Sequence, residues 1–90
     1  MLAYFAELIG SFFLGYAVLG GDILHIVITL ASVAYFAGDI SGGHFNPAVS
    51  YMMYCKGDMT LSEWLIYSSI QLTGMLLALH FHTYVQKTKN

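Results

Sequence analysis

A polar segment near the middle of an otherwise apolar sequence holds the residue types that could do chemistry. It reads Gly42-Gly43-His44, then Phe45, then Asn46-Pro47-Ala48. Asn is a strong N-cap and Pro suits the first helical position, so a helix is expected to start at Pro47. Asn46 would cap that helix with its side-chain oxygen, and its NH₂ group could donate to a passing water or hydroxyl. A simple N-cap explains the same spacing equally well.

The other reactive side chains lack the partners that catalysis or metal binding needs. Cys55 is the only cysteine in the sequence, so it predicts neither an internal disulfide nor a metal site. His80 and His82 are two residues apart, which turns them to different sides of a helix. No nucleophile and base, paired carboxylates or ligand cluster occurs at a workable spacing, so we expect no enzyme, no cofactor and no metal.

The composition is that of a membrane protein. Of the 90 residues, 58% are apolar and 9% are charged, and the mean hydropathy is +0.68. Soluble domains carry about a quarter of charged residues, so a lipid bilayer is the expected surrounding. The net charge of −2, with three Lys and no Arg, leaves no basic surface for nucleic acid.

Three apolar runs predict membrane-spanning helices at about 3–20, 23–38 and 61–86, because about 20 apolar residues cross a bilayer. Gly20-Gly21-Asp22 separates the first two, and Thr60 with Glu63 forms a capping-box pattern before the third. Residues 39–55 are expected to form a loop and a half-helix that stops at Lys56, after about nine residues, too few to cross. Such irregular backbone is allowed in a membrane only beside protein or a water-filled cavity. The expected fold is all-α, with three transmembrane helices and one re-entrant half-helix.

Several motifs in order resemble the aquaporin, or major intrinsic protein (MIP), family. The family's first loop motif is similar to the run from Ser41 to Val49, which contains the Asn-Pro-Ala (NPA) triplet. The likeness extends through residues 6–10 and through Glu63, Tyr67, Gln71 and Gly74. It covers nearly all of 1–90 as a single half-domain, the N-terminal one of the family's two inverted repeats. The resemblance implies a multi-pass membrane channel subunit for passive transport of water and small neutral solutes such as glycerol.

The resemblance also implies roles for residues of the loop. Asn46, Pro47 and Ala48 would stand at the pore, and the backbone carbonyls of Gly42, Gly43 and His44 would line it, with the His44 ring packed behind the loop. Glu7 would support the loop through backbone hydrogen bonds. An ionisable side chain inside a membrane span costs so much free energy that this carboxylate is a functional candidate for that reason alone. The alternative is that Glu7 lies at the level of the lipid headgroups.

Two positions depart from the family's pattern. Ile26 stands where water-selective members usually place an aromatic residue in the narrow selectivity region, so a less constricted or differently shaped filter is expected, unless Ile26 only contacts lipid or another helix. Asp39 stands where members usually have His near the inner mouth. It could attract cations or titrate there, or it could be an ordinary solvated carboxylate.

One repeat is not expected to enclose a pore, since the sequence has no second Asn-Pro-Ala and no filter arginine. Lys56 and the pair Lys87 and Lys89 would lie on opposite sides of the membrane, so the positive-inside signal is nearly balanced. The hypothesis is a homo-oligomer in which chains insert both ways and pair antiparallel, or pairing with a complementary half-channel chain. The alternatives are a fragment of a longer gene and a non-conducting remnant that binds or regulates other membrane subunits. Met1 and the Lys-rich end are typical of natural termini, but a premature stop would look the same.

Overall fold

The computed structural model describes residues 1–89, which contain four helices and no strand. The helices are α1 (Leu2–Gly20), α2 (Ile23–Ser41), α3 (Pro47–Lys56) and α4 (Leu61–Thr88). By length and composition α1, α2 and α4 are long and apolar enough to cross a membrane. The expected all-α fold with three spans and one half-helix is confirmed. The expected domain ended at Asn90, which lies outside the described residues.

Helix α2 is longer than the sequence indicated, because it continues through Asp39 and Ile40 to Ser41. It ends where Gly42 adopts a left-handed conformation, with φ of 89°, which Gly reaches without a steric penalty. The irregular backbone therefore spans 42–46 rather than 39–46, and Asp39 belongs to the last turn of α2.

The helix starts follow side-chain capping. Asn46 Oδ1 accepts a hydrogen bond from Ala48 N at 2.8 Å, which confirms the expected N-cap of α3. The capping box of α4 is also confirmed, since Thr60 Oγ1 accepts from Glu63 N at 3.1 Å and Glu63 Oε1 accepts from Thr60 N at 2.8 Å. Asp22, whose capping role the sequence did not reveal, accepts from the backbone of residues 24 and 25 at the start of α2.

Helix α1 is the centre of the packing, with α2 against one side and α4 against another, and α3 lies on α4. The α1–α4 contact depends on a small residue, since a Cβ added at Gly74 would lie 2.7 Å from the Leu8 carbonyl oxygen. Small residues of this kind let helix backbones approach closely in lipid. An aromatic group joins α3 to α4, with the Trp64 ring centroid 5.3 Å from that of Tyr51 and 5.8 Å from that of Tyr54.

The interior is small and contains polar as well as apolar side chains, whereas the exterior is largely apolar. The buried polar or charged side chains are Glu7, Ser11, Ser41, Ser50 and Gln71. Large apolar side chains such as Phe36, 75% exposed, and Leu24, 65% exposed, face outward. A surface of this kind suits hydrocarbon, where polar groups must find partners inside the protein.

Candidate functional site

The segment between α2 and α3 runs into the protein and turns back. Helix α2 ends at the end of the bundle where α1 begins, and the chain then passes along α1. Phe45 is fully buried against Gly10, where an added Cβ would lie 2.0 Å from the ring. Asn46 lies deeper, in a cavity also lined by Val18 and Leu76. Helix α3 then returns to the starting end, so residues 42–56 form a re-entrant loop and half-helix.

Glu7 is the centre of the contacts that hold this segment. Its side chain is fully buried and accepts four hydrogen bonds. Three of them come from the end of α2 and from the loop, and the fourth comes from Gln71 on α4. One carboxylate oxygen, Oε2, accepts from Ser41 Oγ at 2.6 Å and from His44 N at 3.1 Å. The other, Oε1, accepts from Phe45 N at 2.8 Å and from Gln71 Nε2 at 2.8 Å. Four donors around one carboxyl group match the acceptor capacity of the ionised form.

A second set of contacts ties the loop to α4 and α3. Gln71 Nε2 also donates to Ser50 Oγ at 2.9 Å, and Ser50 Oγ lies 2.9 Å from His44 Nδ1. Tyr67 donates from its hydroxyl to the Ser41 carbonyl oxygen at 2.8 Å. The loop is therefore fixed by side chains from α1, α3 and α4 together.

The loop backbone is satisfied on one side only. The N–H groups of Gly43, His44 and Phe45 donate to Ser41 Oγ or to Glu7. Within residues 1–89, the carbonyl oxygens of residues 42, 43 and 44 accept no hydrogen bond from protein. Buried or membrane-embedded carbonyl groups need a partner, so these oxygens are available to water or to a solute hydroxyl.

The N-terminus of α3 carries the second set of groups that could meet a solute. Asn46 is exposed. Its Oδ1 accepts a hydrogen bond from Ala48 N, which orients the Nδ2 group outward, where it can donate to a solute. The far end of α3 carries Lys56, which suits the negative end of the helix dipole and pairs with Asp58 at 3.2 Å. Trp64 Nε1 donates to the Pro47 carbonyl oxygen at 3.3 Å and so anchors the start of α3 to α4.

Ile26 and Asp39 lie apart from this group of contacts. Ile26 is half-buried in the first turn of α2, about 22 Å along that helix from Ser41 at a rise of 1.5 Å per residue. Asp39 is exposed in the last turn of α2, at the same end of the bundle as the start of the loop and the C-terminal end of α3.

Sequence reasoning missed several residues that build the site. Ser11 donates to the Phe45 carbonyl oxygen at 3.3 Å, and Ser50 bridges His44 and Gln71. Phe45 itself has a positive φ of 54°, which no sequence pattern announced. The available signal was the presence of Ser and Gln inside apolar spans, because polar groups in lipid are costly unless they are bonded.

Comparison with known proteins relates this arrangement to a family. The family model described as "Major intrinsic protein" matches residues 23–90, well over half of the chain. This chain belongs to the major intrinsic protein family. The expected resemblance is thereby confirmed, and with three candidate spans the chain is an integral, multi-pass membrane protein.

Relatives within the major intrinsic protein family are named for water or glycerol. The chain is 38% identical over 79 residues to Aquaporin Z of Flavobacterium johnsoniae, covering 70% of this chain and 100% of that protein. It is 36% identical over 88 residues to Glycerol uptake facilitator protein-like 6 of Lactiplantibacillus plantarum, covering 87% of this chain and 41% of that protein. It is 38% identical over 78 residues to Aquaporin Z of Brucella melitensis, covering 87% of this chain and 31% of that protein. The chain thus spans less than half the length of the last two. No solved structure matches significantly.

Proposed function

We propose that this chain is an aquaporin-like channel subunit for water and small neutral solutes such as glycerol, and that a second inverted repeat completes its pore. The main support for the proposal is that the backbone N–H groups of residues 43–45 have hydrogen-bond partners in residues 1–89, whereas the carbonyl oxygens of residues 42–44 have none there. Glu7 and Ser41 take the loop's N–H groups, which leaves successive carbonyl oxygens of residues 42–44 without a protein partner. A row of fixed acceptors beside the Asn46 amide donor is what a single file of hydroxyl groups requires.

Charge selectivity would follow from the direction of α3. The helix N-terminus places the positive end of a dipole beside Asn46, and this disfavours cations and protons while leaving neutral solutes unaffected. Ile26 would contribute to the filter from the far end of α2. An Ile in place of an aromatic residue, together with the absence of Arg from the sequence, favours a filter wide enough for glycerol.

The need for a second repeat rests on the length of α3, whose 10 residues reach about 15 Å and so about halfway through the hydrocarbon layer. A second copy in the opposite orientation would place its own α3 N-terminus against the first. Lys56 and Lys87 lie at opposite ends of the bundle, since α4 runs from the end that holds Lys56 to the other, and this supports insertion in both orientations.

The decisive experiment is osmotic shrinkage of liposomes that contain the purified chain alone, followed by stopped flow. Asn46→Asp is the informative variant, because Asp caps a helix as well as Asn does but removes the NH₂ donor and adds a negative charge. Asp22→Asn is the matched control, since it exchanges the same two side chains at the N-cap of α2. We expect shrinkage faster than in empty liposomes, lost in Asn46→Asp and kept in Asp22→Asn, with glycerol permeating as well as water.

Each arm can contradict one part of the proposal. Equal rates for Asn46→Asp and the wild type would overturn the role of Asn46, and exclusion of glycerol by conducting liposomes would overturn the wide filter. Shrinkage no faster than through bare lipid would overturn self-assembly. That result would favour the second candidate, a non-conducting half-channel that binds other membrane subunits, which the extensively exposed apolar surface of α2 could serve.

A further inference from the structure

One cavity differs in chemistry from three apolar cavities found within residues 1–89. It is open, has a volume of about 310 Å³, and lies where α3 ends and α4 begins. We call it the mouth cavity. Its lining includes His44, Met53, Met59, Asp58 and Glu63, whereas the other cavities are lined almost entirely by apolar side chains.

Within residues 1–89, the His44 ring has one nitrogen with a hydrogen-bond partner, Nδ1, which lies 2.9 Å from Ser50 Oγ. The other nitrogen, Nε2, lies beside Gly42, another lining residue of the mouth cavity. In the tautomer in which Nδ1 donates to Ser50 Oγ, Nε2 offers its lone pair to a ligand in the cavity. Histidines that bind metals typically have their second nitrogen fixed by such a hydrogen bond.

The two carboxylates of the mouth cavity already have partners. Glu63 Oε1 accepts from Thr60 N in the capping box, and Asp58 Oδ2 lies 3.2 Å from Lys56 Nζ. Within residues 1–89, moreover, no three His, Cys, Asp or Glu side chains form a group able to hold a metal ion. A hard divalent cation, which needs several free oxygen ligands, therefore does not fit.

Two further lining residues carry soft donors. Met53 and Met59 both line the cavity and are half-buried, and the three rotatable bonds of Met let a thioether sulfur adjust its position. Thioether and imidazole ligands select Cu(I), and nearby carboxylates lower the cost of bringing a cation into the cavity. We propose that the mouth cavity binds Cu(I) through His44 Nε2 and the sulfur atoms of Met53 and Met59. This site stands independently of the proposed transport function.

The test is anaerobic titration of the purified chain with Cu(I) against a chromophoric competitor, in a Cys55→Ser background, because the exposed Cys55 thiol would itself bind Cu(I). The informative variant carries Met53→Leu and Met59→Leu, which conserve volume and apolarity. The matched control carries Met52→Leu and Met75→Leu, which removes the same number of thioethers away from the cavity. We expect one equivalent of Cu(I) in the background chain and the control. The informative variant should lose more than about tenfold in affinity, since loss of even an outer-shell partner costs about 10- to 100-fold.

A second measurement covers the case in which the informative variant does not fold. With methyl-labelled Met in the Cys55→Ser chain, Ag(I), a redox-stable analogue of Cu(I), should shift the signals of Met53 and Met59. Shifts confined to other methionines, no stoichiometric Cu(I) binding by the background chain, or an equal loss in the control would each overturn the proposal. So would tighter binding of Mg²⁺ or Ca²⁺ than of Cu(I).

Discussion

At the scale of residues, the Glu7 carboxylate replaces the backbone acceptors that a helix or a sheet would provide, since successive N–H groups of the loop donate to it. His44 N and Phe45 N both donate to it, and neither can donate within a helix because positive φ values at residues 42, 43 and 45 prevent one. Hydrogen bonds to a charged acceptor contribute about 1.5–3 kcal/mol each, more than neutral ones. The loop conformation therefore depends strongly on a single side chain.

The first prediction replaces Glu7 with Gln. The variant keeps the size of the side chain, but either orientation of the amide points NH₂ at groups that are themselves donors. We expect a loss of about 3 kcal/mol in the free energy of unfolding, because buried donors left unpaired cost about 1–3 kcal/mol each. Reversible unfolding in mixed micelles, followed by circular dichroism, measures this.

Glu63→Gln is the control for Glu7→Gln, because Gln also completes a capping box and Glu63 is exposed. It should change stability by less than about 0.5 kcal/mol. Equal stabilities for the two variants would show that Glu7 does not carry the loop.

At the scale of elements, the site needs α1 and α4 in close contact, because Glu7 and Gln71 meet across them at 2.8 Å. Gly74 allows this contact: the nearest atoms to an added Cβ are the Leu8 carbonyl oxygen at 2.7 Å, Ser11 Cβ at 3.0 Å and Phe12 N at 3.2 Å. Two of these three atoms belong to the backbone of α1, which cannot rotate away as a side chain could. Added volume at residue 74 must therefore move a whole helix.

The second prediction is that Gly74→Ala separates α1 from α4 and weakens the Glu7–Gln71 hydrogen bond. Overpacking of this kind costs about 1–3 kcal/mol. Gly38→Ala is the matched control within a spanning helix, since a Cβ there meets no atom within 4 Å and Ala raises helix propensity. The same unfolding assay should rank Gly38→Ala at or above the wild type and Gly74→Ala below it. The opposite order would exclude close backbone contact at Gly74.

At the scale of the whole molecule, the spans have unequal lengths. Helix α4 has 28 residues, about 42 Å, against 19 residues and about 28 Å for α1. The hydrocarbon layer is about 30 Å thick, so about 12 Å of α4, or roughly its last eight residues, is expected to project beyond it at the end away from the mouth cavity. His82 and Lys87 belong to this stretch, and Lys56 marks the other end.

The third prediction uses that projection to measure orientation. In a Cys55→Ser background, Thr88→Cys places one thiol on the projecting end of α4. With near balance of Lys at the two ends, about half of the chains in intact cells should react with an impermeant maleimide, and the rest only after permeabilisation. Leu76→Cys, exposed to lipid near the middle of α4, should not react in either case. Labelling of all chains from one side would exclude insertion in both orientations.

The sequence predicts much of this architecture because its signals are local. Asn46 before Pro47, and Thr60 with Glu63, identify helix starts through capping chemistry that operates within a few residues, and uninterrupted apolar runs identify the spans. The end of α2 at Ser41 was harder to place, since Asp39 is tolerated in a helix and only Gly42 stops it. The Ser11–Phe45, Ser50–Gln71 and Gln71–Glu7 hydrogen bonds join residues that are 34, 21 and 64 positions apart, so no local pattern could specify them.

The contacts around the loop also bear on the order in which the chain can insert into a membrane. As the chain leaves the ribosome, Glu7 is available to His44 and Phe45 as soon as these are made, but Gln71, Tyr67 and Trp64 are synthesised later. Until α4 is made, the carbonyl groups of Ser41 and Pro47 lack the donors that α4 supplies, and unpaired backbone polar groups are costly in lipid. We therefore expect residues 42–56 to enter the bilayer only together with α4, after α1 and α2.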